Sequence, residues 1–175
     1  MTSYRKSAVA VLTAAAVLTL GLGASPASAK ASDGFVRGYD GFADDFDDEG
    51  TLSLSVNEKS NATCMWQAIL WSEEINASRS SIDGVFGDRT HEATRVFQQR
   101  AGLTMDGKVG KGTFAEAGKR LTYVSGSTAR GKELTLKYES GRRNINFIRD
   151  SQGRYKFRDA NSDWRVAGYD YLTCP

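Results

Sequence analysis

The pattern apolar-Asp-Gly-x-apolar-Gly-x-x-Thr occurs twice in this chain. The first copy runs from Ile82 through Asp83, Gly84, Val85, Phe86, Gly87, Asp88 and Arg89 to Thr90. The second, 23 residues on, runs from Met105 through Asp106, Gly107, Lys108, Val109, Gly110, Lys111 and Gly112 to Thr113. Asp-Gly allows a tight turn at positive φ. The Asp carboxylate can accept nearby backbone N–H groups. The second Gly lets the chain pass closely before a helix starts, and the apolar residue ahead of it plugs a core. Each copy therefore delivers the chain into a helix.

The flanking periodicity agrees. A first helix is expected over 64–75, capped by Asn61 or Thr63, with Trp66, Ile69 and Leu70 at helical spacing. A second is expected over 88–100, with Ala93, Val96 and Phe97 inward and Gly102 as its left-handed stop. A short third is expected over 112–121, with Phe114, Ala117 and Leu121 inward.

Beyond Thr122 the spacing changes to alternation. Leu134, Leu136 and Tyr138, then Ile145 and Phe147, then Tyr155 and Phe157 alternate with polar residues, and Asp150-Ser151-Gln152-Gly153 reads as a hairpin turn. Trp164, Val166, Tyr169 and Tyr171 continue the strand-like pattern. This predicts an antiparallel meander of three or four strands, too small to stand without packing on the helices. The fold class expected is α+β: a three-helix bundle followed by a small antiparallel β-meander.

The ends set the compartment. Arg5 and Lys6, an apolar run from Ala8 to Leu22, and Ala27-Ser28-Ala29 form the layout of a secretory signal peptide over residues 1–29. Removing Arg5 and Lys6 from the 23 basic residues leaves 21, against 21 acidic, so a nucleic-acid partner is not implied. No membrane association is expected after cleavage. In an exported chain the only two cysteines, Cys64 and Cys174, read as one disulfide. Between residues 30 and 50 stand seven acids and two bases without helical or strand periodicity. Residues 30–58 are therefore expected as an acidic flexible arm. Phe35, Tyr39, Phe42 and Phe46 offer it groups that can dock on the body or on a partner. The remaining divisions are a helical domain over 59–122 and a C-terminal extension over 123–175.

The constellation Asp83, Gly84, Phe86, Gly87, Thr90, Phe97, Gln98, Gly102, Leu103, Asp106, Gly107, Val109, Gly110, Thr113 and Phe114 resembles the type-1 peptidoglycan-binding domain, a three-helix module. The resemblance covers about sixty residues; Lys111-Gly112 departs from it where the family often has Pro and a charged residue. It implies binding to cell-wall polymer, with peptidoglycan as the partner through its glycan or its stem peptide; together with the export signal this gives the expectation of a secreted, cell-wall-associated protein. Most matched residues read as turns, caps and core. The better contact candidates are polar and near the turns: Gln98 first, since it sits at a family position, then Gln99, Arg100, Arg95 and Arg89.

Enzyme readings fail for want of parts. The single His91 cannot build a metallopeptidase site, and no cofactor or metal site is expected. A Cys–His hydrolase needs a free thiol, and both cysteines are better read as a bridge than as free or intermolecular thiols. No nucleophile elbow accompanies any Ser, and the chain outside the helices is short for a cleft with two opposed carboxylates. The expected function is a non-catalytic peptidoglycan-binding protein. Two alternatives stay open: an interaction or inhibitor protein acting on another secreted wall protein through the meander, with Arg142-Arg143 and exposed aromatics as its tools, and a small wall hydrolase with an unrecognised site.

Overall fold

The computed structural model describes residues 33–76 and 78–175; the signal-peptide segment lies outside the described residues. Three α-helices, α1 (Asn61–Ser72), α2 (Asp88–Arg100) and α3 (Lys111–Gly118), precede five strands: β1 (Leu121–Gly126), β2 (Leu134–Tyr138), β3 (Ile145–Arg149), β4 (Tyr155–Arg158) and β5 (Trp164–Val166). The strands form one antiparallel sheet in sequence order. The fold is α+β. None of the described helices is long and apolar enough to cross a membrane.

Helix α1 organises the rest. Every residue in it except Trp71 is buried, as suits a helix with no polar face. It packs against α2 and also against β3, β4 and β5. Its cap is Ser60, whose Oγ accepts the Thr63 N–H at 3.0 Å, rather than Asn61 or Thr63, so the helix begins three residues before the predicted start. A helix buried on all sides carries no amphipathic edge to mark its limits. Helix α2 has the predicted bounds: Asp88 complements its N-terminus, Arg100 its C-terminus, and Gly102 ends it at φ +70°. Val96, expected inward, is exposed. Helix α3 stops at Gly118, and Leu121 opens a strand instead of closing the helix.

The sheet has five strands rather than three or four. Alternation is visible in burial: Leu134, Leu136, Tyr138, Phe147, Tyr155 and Phe157 face the core. Asp150 to Gly153 forms the expected turn, with Gly153 N–H donating to the Asp150 carbonyl at 2.8 Å and φ +80° at Gly153. Strand β1, mostly exposed, carries a bulge between Tyr123 and Ser125. Strand β5 ends at Val166, so Tyr169 and Tyr171 lie outside it; Tyr169 is buried.

The acidic segment is not a flexible arm where it is described. Val36, Phe46 and Leu52 are completely buried in the same core as the helices and the sheet. Phe46 meets Tyr155 at 5.0 Å, Phe114 at 6.0 Å and Phe147 at 6.4 Å, joining α3 to the sheet. Backbone bridges pair Leu52 with Val109 and Phe35 with Gly168. The acids include two that point inward to partners more than a hundred residues away, Asp45 to Arg149 and Glu49 to Tyr169. A dense run of charge looks solvated in sequence because such partners are not visible there.

Cys64 and Cys174 are disulfide-bonded, with Cα atoms 6.7 Å apart. The tail is also fixed by Asn61, whose Oδ1 accepts the Thr173 N–H at 2.8 Å, and by Leu172 against Gly84. One continuous core therefore spans the segments expected as arm, helical domain and extension.

Candidate functional site

The two Asp-Gly loops are held by two glutamines in the same way. Gln67, on α1, accepts the Asp83 and Gly84 N–H groups on Oε1 at 2.9 and 2.7 Å. Its Nε2 reaches Asp83 Oδ1, the Val85 carbonyl and Thr90 Oγ1 at 2.8, 3.0 and 3.0 Å. Gln98, on α2, accepts the Gly107 N–H at 2.9 Å. Its Nε2 reaches Asp106 Oδ1, the Lys108 carbonyl and Thr113 Oγ1 at 2.7, 2.9 and 3.1 Å. In each loop the Asp carboxylate also accepts the N–H two residues on, from Val85 and from Lys108, both at 2.9 Å. Gly84 and Gly107 take φ +74° and +70°, a conformation that disfavours a side chain. The plugs Phe86 and Val109 are fully buried, and Thr90 and Thr113 nearly so. At Asp106 burial is outweighed by the bonds from the Lys108 N–H and from Gln98, which hold its carboxyl below the usual range.

This bracing leaves two shallow clefts, one per loop. The first, of about 230 Å³, is lined by Gln67, Ser81, Asp83, Val85, Gly87, Asp88, Arg89 and Thr90. The second, of about 260 Å³, is lined by Gln98, Leu103, Thr104, Asp106, Lys108, Gly110, Gly112 and Thr113. Their exposed polar side chains are Asp83, Asp88 and Arg89 in one and Thr104, Asp106 and Lys108 in the other.

The predicted contact residues separate. Gln98, ranked first, is instead 2 % exposed, with its amide engaged inside the loop. Arg89 stands in the wall of the first cleft. Arg95 pairs with Glu92 at 3.2 Å. Gln99 is exposed and lines neither cleft, and Arg100 donates to the Glu73 carbonyl at 2.8 Å, bracing the end of α1. Phe86, Phe97 and Phe114 are buried, and the Asp83 and Asp106 carboxylates accept backbone N–H groups at the exposed edge of their loops. Gln67 was missed, although the sequence carries its signal: Trp66-Gln67 precedes the first loop as Phe97-Gln98 precedes the second. The two aromatics meet edge to face at 5.0 Å. His91 rests its ring against Gly107.

Neither a curated protein nor a solved structure matches the chain. Residues 66–116, from the Trp66 of α1 through both glutamine-braced loops to the Glu116 of α3, match the family model of a putative peptidoglycan binding domain.

Proposed function

We propose that this is a secreted, wall-associated protein that binds bacterial peptidoglycan and performs no chemistry itself. The observation that carries the proposal is the family match across both braced loops. Supporting it, each loop ends in a shallow cleft whose backbone is fixed from behind and whose rim carries exposed polar groups, Arg89 at one and Lys108 and Thr104 at the other. A rigid backbone with a cation and exposed polar side chains at its rim suits the carboxylates and hydroxyls of a glycan-peptide polymer. Two modest clefts on one polymer add by effective concentration, so neither needs high affinity alone. Export rests on the charge, apolar run and Ala27-Ser28-Ala29 of residues 1–29. The non-catalytic reading draws support from the disulfide, which removes both thiols as nucleophiles, and from His91, whose ring is packed on Gly107.

Co-sedimentation of the protein, from Lys30 on, with purified sacculi tests the proposal. The wild type is expected in the pellet, and Arg89→Ala/Lys108→Ala in the supernatant with an unchanged melting temperature. A wild type that stays in the supernatant overturns the binding proposal. A cleared band on a wall-containing gel overturns the non-catalytic one.

A further inference from the structure

Away from both clefts, a recess of about 190 Å³ lies where α1 meets the sheet. Its apolar lining is Ala68, Ile82 and Ile145 with Trp71 at the margin. Arg79, Arg158, Asn144 and Asn146 complete its lining. Among the described residues neither arginine has a carboxylate partner. Arg79 donates to the Asp159 carbonyl at 2.9 and 3.2 Å, while the Asp159 carboxylate goes to Arg165 at 2.6 Å. Arg158 donates to the Ser162 carbonyl at 2.6 Å and lies over the Trp164 ring. The guanidinium of Arg79 lies 5.1 Å from the centre of the Trp71 ring, and so does that of Arg143. By contrast Arg142 and Arg143 share the carboxylate of Glu74, and Arg165 pairs with Asp159.

Two unneutralised guanidinium groups beside two amides, over an apolar floor, make a receptor for an anion attached to an apolar body. The volume is below the roughly 300 Å³ at which pockets for whole small molecules begin, so an end group fits rather than an entire ligand. We propose that this recess binds the carboxylate terminus of a short peptide. Resting on the wall-binding reading, that peptide is a stem peptide, held by α1 and the sheet while the two loop clefts engage the polymer elsewhere. The carboxylate is drawn by the positive charge of Arg79 and Arg158, the neighbouring side chain or methyl group lies on Ile82 and Ile145, and the last peptide unit lies along the polar edge that Asn144 and Asn146 contribute.

The test titrates the disulfide-bonded protein with N-acetyl-alanyl-alanine, its C-terminal amide, and inorganic phosphate, following the Ile145 and Ile82 backbone resonances. The acid is expected to shift them saturably, and the amide to bind about tenfold or more weakly through loss of a charge-assisted contact. Arg158→Gln, on the exposed side of the recess, is expected to weaken the acid to the same degree without changing the spectrum elsewhere, and Asn146→Leu less so. Arg89→Ala/Lys108→Ala is expected to bind it normally. Equal binding of acid and amide, competition by phosphate at equal concentration, or an unaffected Arg158→Gln overturns the proposal. Peptide binding without sacculus sedimentation overturns the wall-binding reading alone; the reverse overturns this site alone.

Discussion

Arg149 Nη1 donates to both carboxylate oxygens of Asp45, at 3.0 and 2.7 Å, with the two side chains 3 % and 1 % exposed. Tyr155 adds its hydroxyl to the same carboxylate at 2.5 Å, and the Arg149 Nη2 donates to the Asp40 carbonyl at 2.7 Å. The pair fastens the acidic N-terminal segment to β3. Removing Asp45 leaves a guanidinium buried without its counter-charge. Asp45→Ala is expected to cost about 3–5 kcal/mol, read from urea unfolding. Asp45→Leu combined with Arg149→Met is expected to recover most of that loss, because it removes both charges together.

Glu49 gives the protein a pH dependence. Burial pushes its carboxyl up to about 8, against the bonds it accepts from the Tyr169 hydroxyl at 2.6 Å and the Arg37 N–H at 2.7 Å. The folded state therefore holds a proton that the unfolded chain releases near 4.5. Stability is expected to fall as pH rises between those values. Asp45, raised by burial to about 6, contributes with the same sign over a lower window. Urea midpoints measured from pH 5 to 9 should decline in the wild type. In Glu49→Gln the decline above pH 6 should flatten; an unchanged slope there would show that Glu49 is not the source.

The glutamine braces predict structural effects rather than lost contacts. Gln67→Ala or Gln98→Ala strands buried backbone N–H and carbonyl groups, at a cost of about 1–3 kcal/mol each. Amide hydrogen exchange should accelerate at Gly84 in the first variant and at Gly107 in the second, each leaving the other loop protected. Exchange unchanged at the matching glycine would remove the brace from the account of that loop.

The disulfide spans 110 residues of sequence. Closing so long a loop is worth about 4–5 kcal/mol in the chain-entropy treatment. Cys64→Ser/Cys174→Ser is expected to lower the melting temperature by an amount that reductant reproduces in the wild type and does not add to in the variant.

What could be read in advance followed the range of the interactions. Helix α2 has the expected bounds because its amphipathic spacing, Asp88 and Gly102 are all local. The turn at Asp150 to Gly153 was legible for the same reason. Strand β1 was not, since Leu121 continues the spacing of α3 and only pairing with β2 makes it a strand. The order of residues 33–58 was hidden because its determinants, Arg149, Tyr155 and Tyr169, lie far along the chain. Gln98 stands out in sequence by its family position, and in the structure its amide faces inward to the loop. A buried glutamine and a solvent-facing one look alike until the plug at Val109 and the turn at Gly107 are placed around it.

The burial of α1 between α2 and the strands has a practical meaning for anyone who treats such regions as interchangeable cassettes. A graft limited to residues 59–122 would carry α1 with the side that meets β3, β4 and β5 bared to water, and would leave Cys64 as a lone thiol. Swapped onto a carrier, that fragment is expected to aggregate rather than report on ligand affinity. Exchange at the level of whole chains keeps α1 covered on every side; exchange limited to the three helices does not.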